Sequence, residues 1–97
     1  MTSPPEQRVE VPASIGSAEE LHLYLQQALQ FPAHYGCNLD ALWDCATEGP
    51  PWPVCIVWPS RWVNASTEFT EQAARVREVL QEAARENWLL RVELAAD

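Results

Sequence analysis

Residues 54–58, Val-Cys-Ile-Val-Trp, form a continuous apolar run between Pro53 and Pro59. A strand with one face in water alternates apolar and polar residues, whereas a strand covered on both faces has an unbroken apolar, β-branched sequence. A chain of 97 residues has material for a single hydrophobic core. The run therefore predicts the central strand of one small sheet, which the rest of the chain must cover.

Two further strands are predicted near the ends of the chain. Residues 8–11 alternate polar and apolar and are followed by a proline, which is typical of a short strand. Residues 88–94 predict the last strand, with Leu90, Val92 and Leu94 on one face.

Three helices are predicted between these strands. Ser17 followed three residues later by Glu20 is a capping-box pattern, and Asn38 is a typical N-cap for a short helix. In the third helix, apolar residues recur three and four positions apart. The predicted helices span residues 17–30, 39–47 and 67–87. Connections of this length join parallel strands, so the predicted class is α/β, a small parallel sheet with helices packed on it.

The composition is that of one globular domain. Hydrophobic residues make up 47% and charged residues 21% of the chain, which is the ordinary globular range. No repeat or linker divides it, so we expect a single domain over residues 8–97 and a flexible N-terminal tail over residues 1–7. The sequence has neither a leader pattern nor an apolar run of about eighteen residues, which predicts a cytoplasmic protein without a membrane segment.

Charge and cysteine spacing exclude several classes of function. Six arginines, no lysine and fourteen acidic residues leave a net charge of −8, the wrong sign for tracking a phosphate backbone. The three cysteines are eight and ten residues apart, which fits neither a disulfide framework nor a CxxC site. We therefore expect no direct nucleic-acid ligand, no metal and no cofactor, and cysteines that serve as buried or inert thiols.

The acidic residues of the second predicted helix have no basic neighbour in sequence. Residues 34–48 contain Asp40, Asp44 and Glu48 and neither lysine nor arginine. Asp40 and Asp44 are four residues apart and share a helix face, opposite Leu42. Like charges at this spacing cost a few tenths of a kcal/mol, and only Asp40 lies in the first turn, where the helix dipole favours an anion. This pattern fits either a solvated helix face or a docking surface for a basic partner.

Catalysis finds little support in the sequence. Two carboxylates on one helix could act as general acid and base, but such pairs are common on helices. No nucleophile motif or phosphate-binding glycine loop occurs, and three glycines leave little material for a cleft. We predict that the protein is not an enzyme.

The long helix carries an acidic stripe, which we interpret as a solvated face. The stripe consists of Glu71, Glu78, Glu82 and Glu86, with Arg75 among them.

Residues 35–44, Tyr-Gly-Cys-Asn-Leu-Asp-Ala-Leu-Trp-Asp, form the most specific segment of the chain. All ten positions fit the Tyr-Gly-x-Asn-Leu-Asp-Ala-Leu-Trp-Asp signature of the barstar family of intracellular ribonuclease inhibitors. Residues 31–45 as a whole resemble this family. The resemblance continues more loosely over the first helix, the long helix and the last strand. It implies a three-stranded parallel sheet with helices packed on it, which agrees with the pattern above.

The resemblance also implies a function. A member of this family plugs the active site of a small guanyl-type ribonuclease in a 1:1 complex, and its acidic residues take the place of RNA phosphates. Asp44 resembles the central anchor in the phosphate pocket, and Trp43 is interpreted as a supporting contact at the border of the core. The other partner-binding residues implied by the resemblance are Asp40, Asn38, Gly36, His34 and Glu82.

Three departures from the family pattern concern the identity of the target. His34 stands where the family has a tyrosine that stacks on the nuclease, Cys37 replaces an acidic residue, and Glu48-Gly49 replaces a glycine followed by an aromatic residue. The alternative to an inhibitor is an interaction or regulatory module whose acidic helix face docks a basic protein that is not a nuclease. In either case one acidic face argues for a monomer that binds one partner.

Overall fold

The apolar strand identified in the sequence lies at the centre of the fold. The computed structural model describes residues 5–95, and its sheet has three parallel strands in the order β1-β2-β3. Ile56 is paired with Val9 on one side and with Val92 on the other, and all five residues of the central strand are buried. The predicted α/β class with a small three-stranded parallel sheet is confirmed. The strands are β1 (Gln7–Glu10), β2 (Val54–Trp58) and β3 (Leu90–Leu94).

Four helices connect the strands, and the three longer ones begin at side-chain caps. Ser17 Oγ accepts a hydrogen bond from the Glu20 N–H at 3.1 Å, and Asn38 Oδ1 accepts one from the Ala41 N–H at 2.8 Å. Thr67 forms a capping box at the start of the longest helix. The helices are α1 (Ala18–Ala28), α2 (Leu39–Glu48), α3 (Ser60–Val63) and α4 (Glu68–Glu86). The three predicted helices are confirmed, with ends that differ by at most two residues.

The short helix α3 was not predicted, because residues 59–66 have the composition of a polar connection. Trp62 of α3 is buried, and its ring meets those of Trp58 and Phe69 edge-on at centroid distances of 5.4 and 4.9 Å. Trp62 thus lies in the connection between β2 and α4 but belongs to the hydrophobic core. Its ring joins β2 to α4, and this packing gives the segment a defined structure that its local sequence does not indicate.

The last strand begins two residues later than predicted. The Asn87 N–H donates to the Ala83 carbonyl at 2.8 Å, and the Asn87 Oδ1 accepts from the Leu89 N–H at 3.1 Å. This turn places Trp88 outside the sheet with 85% of its surface exposed, so its assignment to the last strand was wrong. Leu94, expected on the same face as Leu90 and Val92, is 50% exposed at the end of β3.

Replacing Trp88 by serine is expected to leave the free energy of unfolding within about 0.5 kcal/mol of the parent value, because the indole buries little surface. Urea denaturation followed by far-UV circular dichroism measures this without depending on tryptophan fluorescence. The same substitution at the buried Trp62 is the positive control and is expected to destabilise the protein clearly. A loss above about 1 kcal/mol at position 88 would contradict the exposed placement.

The two faces of the sheet are covered in different ways. On one face Val54, Ile56 and Trp58 pack in the hydrophobic core with the helices. On the other face Cys55 and Val57 are also buried, at 0% and 3% exposure. Their cross-strand neighbours are charged, and the hydrocarbon stems of such side chains can cover apolar surface while the charges stay in water. The ion pairs on this face are Arg8–Glu10, Arg8–Glu93, Arg91–Glu6 and Arg91–Glu93.

The sheet starts one residue before the predicted domain boundary. Gln7 is the first residue of β1, and the Glu6 carboxylate accepts two hydrogen bonds from the Arg91 guanidinium at 2.8 and 2.9 Å. Residues 1–4 of the predicted tail lie outside the described residues, as do residues 96–97.

Candidate protein-binding site

A buried tyrosine holds the loop between α1 and α2. Tyr35 is 7% exposed, and its hydroxyl is hydrogen-bonded to His22 Nδ1 at 2.6 Å. Its ring packs on Phe31 with the centroids 5.1 Å apart, and its N–H donates to the Pro32 carbonyl at 3.0 Å. Because His22 lies in α1 and is itself buried, these contacts attach the loop to the body of the domain.

Because His22 is buried, we predict that the protein is less stable at acidic pH than at neutral pH. Burial lowers the pKa of His22 from its ordinary value of 6.5, so the unfolded chain takes up a proton first as the pH falls. The contribution of His22 to stability is therefore complete above about pH 6.5 and is lost as the pH falls through the lower pKa of the folded state. Chemical denaturation at a series of pH values measures the free energy of unfolding.

His22→Gln is the variant that tests this prediction. We expect its free energy of unfolding to fall less steeply below about pH 6.5, because the buried position no longer titrates. The same substitution at the exposed His34 controls for the removal of an imidazole as such. An equally steep pH dependence in the parent and in His22→Gln would show that another group is responsible.

Gly36 and Asn38 determine how the chain enters α2. The Asn38 side chain caps the helix and donates from Nδ2 to the Gly36 carbonyl at 3.3 Å. A Cβ atom at position 36 would lie 3.0 Å from this nitrogen, so glycine permits the close approach. Cys37 between them has a φ of 51°, in the left-handed region that non-glycine residues rarely occupy. The two residues expected to be loop contacts thus also define the loop conformation.

The exposed face of α2 carries a row of three carboxylates. Asp40, Asp44 and Glu48 follow one another at one-turn spacing, and all three are exposed. Leu42 and Ala46 lie on the opposite side with 0% exposure. In the described part of the chain, none of the three carboxylates has an ion-pair partner. The row, which we call the acidic row, is therefore free to pair with an external cation.

Glu48 occupies the least favourable position in the acidic row. It is the last residue of α2, where the helix dipole disfavours an anion, and the last turn of the helix contains no basic residue. One turn earlier lies Asp44, which adds like-charge repulsion. Glu48 is part of the charge imbalance of residues 34–48 but is not among the binding residues implied by the family resemblance. Its spacing from Asp44 is the signal that could have identified it.

A groove of about 540 Å³ lies between α2 and the loop that precedes it. Asp44 and Glu48 line it from the helix, and His34 and Gly36 line it from the loop. Three of the expected site residues, Asp44, His34 and Gly36, are thus brought together. Trp52, from the segment before β2, lines the same groove and was missed, because no local pattern connects it with the loop.

The remaining expected residues on α2 and its cap lie outside this groove. Asp40 is exposed one turn before Asp44. Trp43 is half-buried and packs against the hydrophobic core, as expected for a residue at the border of the core. Asn38 lines a smaller depression of about 240 Å³ together with Arg75 of α4.

Glu82 lies on α4, alongside α2. At one end, Asn87 Nδ2 donates to the Ala46 carbonyl at 3.1 Å, and at the other, Val76 and Asn38 line the same depression. The two helices therefore run side by side in the same direction, and Glu82 lies between these contact points. It is exposed and does not line the groove, so it can add to the acidic surface only from the neighbouring helix.

The thiol beside the acidic row is not activated. Burial raises the pKa of Cys45, and the carboxylates of Glu48 and Asp44 raise it further, so the thiol stays protonated at neutral pH and is a poor nucleophile. All three cysteines are free. Among residues 5–95, no group of three or more histidine, cysteine and acidic side chains is arranged to hold a metal ion. No helix in that range is long and apolar enough to cross a membrane.

Fold and site together define a small α/β domain that presents an acidic helix face beside a three-stranded parallel sheet. The chain belongs to the barstar family, because the sequence profile described as Barstar (barnase inhibitor) matches residues 9–96. A protein of Bacillus subtilis (strain 168) named "Putative ribonuclease inhibitor YrdF" is 43% identical over 68 residues, which cover 70% of this chain and 74% of that protein. The resemblance seen in the sequence is confirmed, and membership of the family supports a role as a ribonuclease inhibitor.

Proposed function

We propose that this protein binds a small, basic guanyl-type bacterial ribonuclease and occludes its active site. It acts in the cytoplasm as a monomeric antitoxin in a 1:1 complex, and its carboxylates take the positions of RNA phosphates. The observation that carries the proposal is the acidic row of Asp40, Asp44 and Glu48, which has no ion-pair partner in residues 5–95.

The contacts that hold α2 in place support an inhibitory role. Asn38 caps its first turn, Leu42 and Ala46 anchor its inner face in the core, and Asn87 of α4 is hydrogen-bonded to its last turn. A preorganised surface loses little conformational entropy on binding. The carboxylates of α2 can therefore meet the cations of a nuclease without reordering of the helix.

The charge of the whole chain supports rapid capture of a basic partner. A net charge of −8 attracts a cationic nuclease over distances comparable to the Debye length. This length is about 30 Å at 0.01 M salt and about 3 Å at 1 M. We therefore expect the association rate to fall steeply as the salt concentration rises, while contacts that become buried in the complex are screened much less.

The test is a titration of this protein into barnase, the nuclease for which the family is described as an inhibitor, with RNA cleavage as the readout. We expect inhibition to be complete at one equivalent and slower to develop at high salt. We also expect the affinity of the protein for the nuclease, measured by calorimetry, to fall when guanosine 3′-monophosphate occupies the active site. Because His34 and Cys37 depart from the family pattern, a second guanyl-type ribonuclease is titrated in parallel.

Two results would contradict the proposal. An affinity for the nuclease that guanosine 3′-monophosphate does not lower would show that the protein binds away from the active site. If neither nuclease is inhibited while a basic protein without nuclease activity binds tightly, the acidic face belongs to a non-inhibitory interaction module.

A further inference from the structure

The groove beside α2 combines acidic groups with apolar surface. Asp44 and Glu48 are the carboxylates that line it, and Phe31, Pro51 and Trp52 are among its apolar lining residues. Within residues 5–95, neither arginine nor lysine lines it. Its volume of about 540 Å³ lies within the range of roughly 300–1,000 Å³ found for ligand pockets. Such a groove fits a side chain with an apolar stem and a cationic head.

Trp52 is held in a defined position at this groove. Its indole Nε1–H donates to Gln7 Oε1 at 2.7 Å, and Gln7 is fixed as the first residue of β1. The polar atom of the indole therefore already has a partner, in an exposed hydrogen bond, and the half-buried ring lines the groove. Aromatic rings attract cations through the negative potential of their faces.

Glu48 supplies the negative charge in the same segment of chain. It lies at the negative end of the α2 dipole and one turn from the Asp44 carboxylate, both of which repel a negative charge, and it has no ion-pair partner in residues 5–95. A cation bound in the groove would relieve both effects. The family pattern has a glycine at this position, so the acceptor is a feature of this chain.

We propose that the groove takes an arginine side chain of the protein partner, with its guanidinium paired to Glu48 and stacked on Trp52. Arginine fits better than lysine, because the planar guanidinium makes paired hydrogen bonds to a carboxylate and stacks on aromatic rings. Glu48 is then a specificity-determining residue that selects partners with an arginine at the matching position. The identity of the partner rests on the proposed function, whereas the preference of the groove for arginine can be tested without a nuclease.

The probe is N-acetyl-arginine methylamide, titrated into the ¹⁵N-labelled protein and followed by NMR. We expect the Trp52 indole N–H and the Glu48 backbone amide to shift along one saturation curve. Trp52→Leu identifies the indole signal among those of the five tryptophans. The lysine derivative is expected to bind more weakly, and the citrulline derivative, which is neutral and nearly isosteric, to produce no saturable shift.

Two matched variants separate the groove from general charge. Glu48→Gln is expected to weaken binding of the arginine derivative by about threefold, the size of an exposed ion-pair contribution. Glu78→Gln, on the exposed face of α4, has the same change in charge and is expected to leave the affinity unchanged. Equal affinities of the two variants, or an equal response to the arginine and citrulline derivatives, would overturn the proposal.

The ribonuclease titration distinguishes failure of this proposal from failure of the proposed function. Inhibition of a nuclease by a protein whose groove does not bind the arginine derivative would remove the arginine site and leave the inhibitor role. Binding of the arginine derivative without inhibition of any guanyl-type ribonuclease would show that the groove is an arginine site and that its partner is a protein of another kind.

Discussion

Replacing Asp44 by alanine is expected to weaken binding of the target ribonuclease by roughly 30-fold to several thousand-fold, or about 2–5 kcal/mol. The side chain is exposed in the free protein and becomes buried against a cation in the proposed complex. Its removal leaves that cation buried without a counter-ion, and this penalty accounts for much of the loss. The range is an established one for buried interfacial charge pairs, with the barnase–barstar complex itself among its reference cases.

Folding controls accompany this variant. Asp44→Ala relieves like-charge repulsion with Asp40 and Glu48, so we expect the free energy of unfolding to stay the same or to rise by a few tenths of a kcal/mol. Asp44→Asn keeps the shape of the side chain and is also expected to lose most of the affinity, whereas Glu78→Ala is expected to retain it. Inhibition constants measured for all three variants show whether Asp44 is the anchor residue. A value for Asp44→Ala within about tenfold of the parent would show that another residue is the anchor.

The second large effect is expected on stability. Replacing Leu42 by alanine should lower the free energy of unfolding by about 2–5 kcal/mol, because the side chain is fully buried and its truncation leaves a cavity under α2. The total stability of a domain of this size is about 5–15 kcal/mol. The urea midpoint of the variant should therefore fall markedly.

Leu39 provides the matched control on the same helix. It is 36% exposed, so we expect Leu39→Ala to cost clearly less than Leu42→Ala. At urea concentrations where the Leu42→Ala variant remains folded, it should still inhibit, because Leu42 is buried and contributes no surface to the acidic row. Equal losses of stability in the two variants would mean that Leu42 does not anchor α2 in the core.

The main elements of the fold could be predicted because their signals are local. The caps at Ser17 and Asn38 and the three- and four-residue spacing of α4 are set by hydrogen bonds and side-chain directions within a few residues. The apolar run of β2 likewise reports burial on both faces. Each of these elements lies within two residues of its predicted position or coincides with it.

Elements that depend on packing between distant segments were not predictable in this way. The segment that contains Trp62 has a polar composition. Trp62 belongs to the core because its ring packs against those of Trp58 and Phe69. Trp88 continues an apolar pattern into β3, but the turn at Asn87 leaves it outside the sheet. Asn87 is also hydrogen-bonded through its Nδ2 to the Ala46 carbonyl of α2, and the alternating pattern of residues 88–94 does not reveal this contact between distant segments.

The candidate site also has features that local sequence determines and features that depend on packing between distant segments. By itself the sequence determined the central strand, the capped helices and the acidic row on α2, together with the contiguous motif of residues 35–44 that indicates the family, because these are properties of neighbouring residues. Only the tertiary structure decided that Glu48 and Trp52 share a groove with His34, since their approach depends on how the two loops at the ends of α2 fold against it. Charge spacing along one helix is a local quantity, whereas a groove exists only where separate segments pack together.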